Sequence, residues 1–299
     1  MHPDEIDIDE TLARGLVREQ FPKWADLPMR RVASTGTDHA IYRLGADKAL
    51  RLPRYPGPGL QAVVEAKWLR RLAPLLPLAV PIPLGTGVPS QGYPWHWSVH
   101  PWFDGESASP KRIADPRQAA DDLGRFVVAM RNVDLPGGPT PGPDSSGRGT
   151  PLSRRDSEVR GAIAALGDEI ESAPALTAWE HALGAPPWTG PAVWLHGDLH
   201  EGNLIARQGR LTAVIDFGTL AMGDPACDVM TAWLYLPDEA RETFRNVVAA
   251  DDATWARARG WALSVALIAL PYYRSTNPRF ADVVRRVIRR VLEDREVAR

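Results

Sequence analysis

The sequence predicts an α+β fold with two lobes, an N-terminal lobe built on an antiparallel sheet and a mainly helical C-terminal lobe. Its 299 residues exceed the length at which a single hydrophobic core usually stops growing. Short extended segments are concentrated in the first third of the chain, and helical spacing of apolar residues prevails after it. We therefore expect one lobe over residues 1–101 and another over 102–299, with a hinge at residues 101–105.

The composition fits a globular protein with balanced charge. Hydrophobic residues account for 44% and charged residues for 24% of the chain, which are ordinary values for such proteins. Because 35 basic residues face 37 acidic ones, the net charge is only -2, and we expect neither nucleic acid nor a membrane as a partner. The single cysteine, Cys227, and an acidic N-terminus without a signal peptide predict a cytoplasmic protein.

The N-terminal lobe is predicted to contain a helix, an antiparallel meander of three strands, a second helix and a further strand. Asp7 or Asp9 can cap the first helix, because a side-chain oxygen there can accept a backbone hydrogen bond. Turn-rich sequence separates the first three strands, and the last strand is rich in aromatic residues. In chain order these elements are a helix over residues 11–19, strands over 29–33, 40–44 and 49–52, a helix over 60–72 and a strand over 95–103.

In the C-terminal lobe the spacing of apolar residues predicts a series of helices and one strand. Residues 136–151 interrupt this pattern with five Pro and five Gly, and they lack the apolar surface that would offset the entropy of ordering them. We expect mobility and no catalytic role there. The helices are predicted over residues 117–131, 158–170, 175–183, 231–235, 239–248, 253–268 and 279–295, and the strand over 211–215.

Two polar turns carry the residues that point to a chemistry. In the first, Asp198 and Asn203 are five residues apart, the separation found in the catalytic loop of kinases, where the Asp accepts the proton of the substrate hydroxyl and the Asn binds magnesium. In the second, a predicted strand ends in Asp216-Phe217-Gly218, which matches the kinase element whose carboxylate also binds magnesium. The order and spacing of the two turns predict phosphoryl transfer.

Phosphoryl transfer consists mostly of positioning the reactants and neutralising charge on the transferred oxygens. Magnesium prefers carboxylate and amide oxygens, such as those of Asn203 and Asp216, together with the nucleotide phosphates. Asp198 is then left to orient the acceptor hydroxyl. One alternative is that all three residues are ordinary turn and cap residues. Another is a metal site of His196, Asp198 and His200, which lacks both the zincin spacing and a thiolate ligand.

Residues 196–204 and 215–228 resemble the aminoglycoside phosphotransferase and choline kinase family. Gly197, where protein kinases usually carry Arg, and His200 are typical of these small-molecule kinases. The resemblance implies a protein-kinase-like bilobal fold and transfer of the γ-phosphate of ATP or GTP to a small-molecule hydroxyl. An aminoglycoside-type antibiotic is the best guess for the acceptor. The resemblance also implies that Asp228 braces the catalytic loop.

The motifs specify neither the acceptor nor whether the protein catalyses a reaction. Macrolides, choline-like alcohols and sugar derivatives are the other acceptors that the resemblance allows. A nucleotide-binding module without turnover is a rival from another class, and a protein kinase is a third possibility that Gly197 and His200 disfavour.

The small lobe matches the family less closely than the two turns do. Kinases carry a strand lysine that reaches the nucleotide phosphates and pairs with a helix glutamate. Here Ala49-Leu50-Arg51 has the expected spacing but ends in Arg, and Glu65 on the next helix is the expected partner. The alternative is a plain surface ion pair. Lys48 points to the opposite face of the strand and is the weaker candidate.

Two further groups of residues are predicted to contact the nucleotide. A turn takes the place of the usual glycine-rich lid, although it contains a single glycine, and its backbone amides and hydroxyls can cover phosphates. This turn consists of Ser34, Thr35 and Gly36. The base is expected to hydrogen-bond the backbone where the chain crosses between the lobes, near Val99, His100 and Trp102.

Overall fold

The structure, a computed structural model, describes residues 6–33 and 38–294. Helix α1 (Glu10–Gln20) begins at Asp9, whose side chain accepts a hydrogen bond from the backbone N–H of Leu12 at 2.8 Å. Asp9 is therefore the cap of the predicted first helix. The helix buries Leu16 and Val17 against the sheet that follows.

In the described residues the N-terminal lobe contains a five-stranded antiparallel sheet with the order β1-β2-β3-β5-β4. Its strands are β1 (Met29–Arg31), β2 (His39–Leu44), β3 (Lys48–Pro53), β4 (Gly85–Gly87) and β5 (Trp97–Pro101). Helix α2 (Pro56–Leu72) follows β3. The predicted meander and the predicted aromatic strand are confirmed. Strand β4 was not predicted, because Gly-Thr-Gly has no apolar side chain to mark it.

The register of β3 decides where Arg51 points. Arg51 lies opposite Ile41 of β2 and Ser98 of β5. Its neighbours Leu50 and Leu52 are buried in the cluster that α1 covers. Since side chains alternate between the faces of a sheet, Arg51 emerges on the other face, toward α2.

The C-terminal lobe is mainly helical, as predicted, and its described residues also form two small antiparallel sheets, β6-β8-β9 and β10-β7. The helices are α3 (Pro116–Arg131), α4 (Asp156–Leu166), α5 (Ser172–Gly184), α6 (Ala226–Val229), α7 (Thr231–Leu234), α8 (Asp238–Val248), α9 (Asp252–Thr276) and α10 (Pro278–Glu293). The strands are β6 (Glu106–Ser107), β7 (Val193–Leu195), β8 (Leu204–Arg207), β9 (Arg210–Val214) and β10 (Ala221–Gly223). Helix α9 continues through Pro271, beyond its predicted end, because packing on α10 and α5 outweighs one lost helical hydrogen bond.

Among the described residues, two hydrophobic clusters form the core. The smaller one lies between α1 and the N-terminal sheet, and the larger one fills the helical lobe. Helix α2 joins them, because its C-terminal residues Trp68, Leu69 and Leu72 belong to the larger cluster although the helix follows β3 in sequence. Across the described residues, no helix has both the length and the apolarity needed to cross a membrane.

The segment of residues 136–151 differs from its expectation. The backbone N–H of Met222 donates to Pro139 O at 2.8 Å, and that of Asp224 donates to Gly149 O at 3.0 Å. Arg148, within the same segment, is buried. The prediction of a loose segment considered apolar surface alone, whereas hydrogen bonds from neighbouring backbone groups anchor this one.

Candidate active site

A buried carboxylate fixes the turn that follows β7. Asp228 of α6 accepts hydrogen bonds from the backbone N–H groups of His196 at 2.9 Å and of Gly197 at 2.6 Å. The hydroxyl of Thr219 donates to the carbonyl of His196 at 2.7 Å. Because a buried backbone N–H that lost its acceptor would cost about 1–3 kcal/mol, these contacts hold the start of the turn in one conformation. This is the bracing that the resemblance implied for Asp228.

His196 has a structural role in the same turn. Its Nε2–H donates to Ile215 O at 3.1 Å, and its Nδ1 accepts from the backbone N–H of Asp198 at 3.2 Å. Burial lowers the pKa of His196, in keeping with a neutral ring. Both ring nitrogens are committed, so that His196 cannot join Asp198 and His200 around a metal. Among the described residues there is also no group of three or more His, Cys, Asp or Glu side chains that could hold a metal ion.

The carboxylate of Asp198 is held along one edge. Asn203 Nδ2 donates to Asp198 Oδ2 at 3.0 Å and to the Asp198 carbonyl at 2.9 Å, and His200 Nε2 lies 3.4 Å from Oδ2. Burial would raise the pKa of Asp198, but His200 and then Arg148 outweigh it and hold this pKa below its usual range. The Asp198 side chain is still 31% exposed. Asp198 is therefore an ionised carboxylate that solvent, and hence a ligand, can reach.

Asp216 follows β9 in a conformation that is rare for a residue with a side chain. Its φ is +62°, in the left-handed region. The backbone N–H of Ile215 donates to Asn203 O at 2.9 Å, which brings the end of β9 beside the turn that carries Asn203. Burial would raise the pKa of Asp216, but the guanidinium of Arg51 outweighs it and lowers this pKa. The structure thus brings the two predicted turns together.

Arg51 links the N-terminal lobe to Asp216. Its Nη1 lies 3.2 Å from both carboxylate oxygens of Glu65, and its Nη2 donates to Asp216 Oδ1 at 2.7 Å. Glu65 is 3% exposed, so that the pair is buried and the surface ion pair considered as an alternative is excluded. Burial would lower the pKa of Arg51, but Glu65 and Asp216 raise it, so the guanidinium stays charged. Its planar fork allows one side chain to reach both carboxylates.

Asn203 and Asp216 have the chemistry of a magnesium site. The amide nitrogen of Asn203 is committed to Asp198, which turns its Oδ1 to the other side, and Arg51 contacts only Oδ1 of Asp216. Within the described residues, neither the Asn203 amide oxygen nor Asp216 Oδ2 accepts a hydrogen bond. One carboxylate and one amide oxygen, completed by phosphates and waters, suit Mg²⁺. The residues present therefore fit the ion that the sequence predicted.

The residues predicted to bind the base are engaged elsewhere. The carbonyl of Val99 accepts from the Leu84 N–H at 2.7 Å, and the N–H of Trp102 donates to Asp47 O at 2.8 Å. His100 is buried, with its ring bonded to a carbonyl and a hydroxyl. The Val99 carbonyl and the Trp102 N–H are therefore occupied by backbone partners within the chain. That the base binds the backbone near Val99, His100 and Trp102 stays a prediction.

Ser34, Thr35 and Gly36, the predicted lid, lie outside the described residues. Comparison with known proteins covers most of the chain. A family model described as the phosphotransferase enzyme family, APH, matches residues 30–261. The chain belongs to this family. The resemblance and the prediction of a phosphotransferase are thereby confirmed, whereas no curated protein sequence matches significantly.

Solved structures with the same fold support the bilobal α+β architecture of this phosphotransferase. A mutant of aminoglycoside 2′-phosphotransferase-IIIa with GDP aligns at a TM-score of 0.75 and 16% identity, covering 95% of this chain and 97% of its own. Macrolide 2′-phosphotransferase MphH from Brachybacterium faecium aligns at 0.62 and 25%, covering 96% and 99%. The APH(2″)-IIa ternary complex with streptomycin and ATP aligns at 0.61 and 15%, covering 95% and 97%. The predicted kinase-like fold is confirmed.

Sequence reasoning missed two buried arginines that hold the segments around the site of this phosphotransferase. Arg257 forms a buried bidentate pair with Asp224, at 2.8 Å and 3.1 Å, which anchors the segment after β10. Arg148 lies against the catalytic turn. Neither arginine is near the motifs in sequence. In the sequence, only Gly197 could have indicated Arg148. A glycine has no side chain, so that it leaves space in the turn for a side chain from another segment.

Proposed function

We propose that this phosphotransferase transfers the γ-phosphate of ATP or GTP to a hydroxyl of a small molecule, with Asp198 as the catalytic carboxylate. The observation that carries the proposal is the position of Asp198, ionised, reachable from solvent and fixed by Asn203 beside Asp216. In this proposal residues 1–101 form the nucleotide-binding lobe, and residues 102–299 form the catalytic and acceptor-binding lobe. A cytoplasmic location, which the single cysteine predicts, would supply both nucleotides.

Each residue of the site has a distinct part in this proposal. Asn203 and Asp216 would hold magnesium, which neutralises charge on the phosphates when it is bound. Arg51, kept in place by Glu65, would bind the α- and β-phosphates. Asp198 orients the acceptor hydroxyl and takes up its proton as the oxygen attacks the γ-phosphorus. The bond from the γ-phosphorus to the bridging oxygen breaks in the same step, and nucleoside diphosphate leaves.

For the base we propose a backbone contact at the lobe crossing, at Pro101, which lies between His100 and Trp102. Trp102 faces Asp47 of the preceding turn. The alternation of backbone groups then turns the Pro101 carbonyl toward the opposite side, where a base can lie. A backbone carbonyl can accept a hydrogen bond from an N–H group of either adenine or guanine, so this contact is compatible with both ATP and GTP.

An aminoglycoside is the first candidate for the acceptor, because two of the similar structures are those of aminoglycoside-binding enzymes by their names. A macrolide is the second candidate, and a feature of the C-terminal helices favours it. Aromatic rings run from His200 through Phe280 to Tyr273 and Tyr272, with centroid separations of 6.2, 4.6 and 5.0 Å. Helix α10 also carries five Arg against one Asp and one Glu. Such a surface suits a bulky, largely apolar alcohol better than a molecule with several ammonium groups.

The test is a panel of acceptors incubated with the protein, magnesium and either ATP or GTP. The panel should contain an aminoglycoside, a macrolide, choline and a simple sugar, with nucleoside diphosphate release and the mass of the acceptor as readouts. A gain of one phosphate by one acceptor is the expected result, and Asp198→Asn is the control. Nucleotide binding without any product would instead support a binding module, and label on a generic protein substrate would support a protein kinase.

A further inference from the structure

A buried arginine from the segment 136–151 lies against the catalytic turn. Arg148 is 8% exposed, and its Nε donates to the carbonyl of Gly197 at 2.7 Å. Its Nη2 lies 3.7 Å from Oδ1 of Asp198, which is ion-pair distance but too long for a hydrogen bond. The guanidinium thus contacts the residue before Asp198 and faces the carboxylate itself.

Gly197 and Arg148 fit each other. Gly197 has a φ of +83°, and a Cβ at this position would lie 3.0 Å from Arg148 Cβ and 2.9 Å from Thr219 Oγ1. A side chain at residue 197 would therefore displace the stem of Arg148. In the sequence motif, Gly197 stands where protein kinases usually carry Arg. Here an arginine from another part of the chain, 49 residues earlier, occupies the space beside it.

The segment that carries Arg148 is anchored on both sides. The backbone N–H of Arg148 donates to Ser145 O at 3.0 Å, and the next carbonyl, that of Gly149, accepts from Asp224. Arg155 Nη1 donates to Ser146 O at 3.3 Å. These bonds fix the backbone of Arg148, and burial together with the bond from Nε to Gly197 O fixes its side chain, so that the guanidinium is preorganised.

The two oxygens of Asp198 have different surroundings. Asn203 and His200 contact Oδ2, whereas Oδ1 faces Arg148. Among the described residues, none donates a hydrogen bond to Oδ1. An acceptor hydroxyl can therefore bind at Oδ1, and the plane of the carboxylate decides whether this oxygen points at the incoming group. A misplacement of about 1 Å in such a contact can cost roughly 10²-fold in rate.

We propose that Arg148 is a positioning residue for phosphoryl transfer, which holds the Gly197 carbonyl and places a positive charge beside Oδ1, so that Asp198 presents this oxygen to the acceptor hydroxyl. The proposal rests on the proposed function, because it assigns Arg148 a part in the same transfer. Arg148 acts through Asp198 and touches neither the hydroxyl nor the phosphate.

The test compares Arg148→Gln and Arg148→Lys with Arg154→Gln, a matched control on an exposed side chain six residues along the chain. We expect kcat of Arg148→Gln to fall by roughly 10- to 10²-fold, with nucleotide affinity unchanged and a partial recovery in Arg148→Lys. In Arg148→Ala, added guanidinium ion should restore part of kcat, whereas sodium at the same ionic strength should not. Wild-type kcat in Arg148→Gln, or a loss that tracks thermal stability and resists guanidinium, would overturn the proposal.

A second measurement separates this proposal from the proposed function. If the wild-type protein phosphorylates no acceptor, the proposed function fails, and crystal structures of the wild type and of Arg148→Gln then decide the positioning role. We expect the carboxylate plane of Asp198 to rotate in the variant. An unchanged plane would refute the role of Arg148 whatever the turnover.

Discussion

The two sides of the site are built in different ways. On the C-terminal side, the turn with Asp198 is held by short hydrogen bonds between backbone groups and the buried carboxylate of Asp228. On the N-terminal side, a long charged side chain, Arg51, reaches from β3 to Glu65 and on to Asp216. The first arrangement fixes a backbone conformation, and the second connects two lobes through one long side chain.

This difference separates the roles that substitutions should reveal. A rigid turn suits groups whose position must be held within fractions of an ångström during the chemical step. A long side chain between lobes suits a contact that forms and adjusts as the nucleotide binds. We therefore expect changes on the C-terminal side to affect turnover or folding, and changes on the N-terminal side to affect nucleotide affinity.

The largest effect is expected for Asp198→Asn. The substitution keeps the shape of the side chain but removes the group that takes up the proton, so that turnover should fall by roughly 10²–10⁴-fold. Nucleotide affinity, measured by titration, should stay close to that of the wild type. Near-normal turnover would show that Asp198 is not the catalytic carboxylate. It would also contradict the expectation that changes on the C-terminal side of the site affect turnover.

Asp228→Asn should mainly affect stability. An amide offers one acceptor oxygen in place of two, which leaves a buried backbone N–H of the turn without its partner and costs about 2–3 kcal/mol in the free energy of unfolding. Urea denaturation measures this loss. Asp121→Asn, which disturbs an exposed pair with Arg125 in α3, is the control and should cost less than about 1 kcal/mol. Equal losses at the two positions would show that Asp228 does not brace the turn.

Asp216→Ala tests the proposed metal contact. We expect the gain in nucleotide affinity that magnesium provides to fall by roughly tenfold or more, because a carboxylate ligand is lost. Calorimetric titrations with and without magnesium isolate this gain from the lost contact to Arg51. Identical curves for the variant and the wild type in both conditions would count against Asp216 as a ligand.

Arg51→Lys tests whether the N-terminal side of the site acts on nucleotide affinity. The ammonium is a point charge and cannot reach Glu65 and Asp216 at once, so that one hydrogen bond of about 1 kcal/mol should be lost and the nucleotide Kd should rise severalfold. Turnover at saturating nucleotide should change less than affinity. Lys48→Arg, on the opposite face of β3, is the matched control. A change in turnover alone would contradict the assignment of Arg51 to nucleotide binding.

The smallest effect concerns His100, next to Glu65 in the N-terminal lobe. Burial, and after it Arg51, lowers the pKa of His100 to about 3 from an ordinary 6.5. Below about pH 6.5 the unfolded chain therefore binds a proton that the native state does not, and stability falls as the pH falls. Between pH 7 and pH 6 this amounts to about 0.7 kcal/mol. In His100→Asn, the difference between the free energies of unfolding in urea at pH 7 and at pH 6 should shrink by that amount. In the control His181→Asn, at an exposed position, this difference should not change.

Much of this architecture could be predicted because its signals are local. The spacing of apolar residues marked the helices, and the polar turns marked Asp198, Asn203 and Asp216. The pairing of Arg51 with Glu65 followed from the alternation of side chains on a strand. The hydrogen bonds that occupy the Val99 carbonyl and the Trp102 N–H could not be predicted, because they depend on which strands pair at which register, and the sequence of one strand does not specify its partner.

By itself, the sequence determined the family, the order of the two lobes and the chemical types that gather at the catalytic turn, since these follow from periodicity and from residues close together in the chain. Only the tertiary structure decided that Arg51 reaches Asp216 and that Arg148 lies beside Asp198. Both contacts join residues from distant segments. Their formation depends on how whole elements pack, and a pattern of neighbouring residues carries no record of that packing.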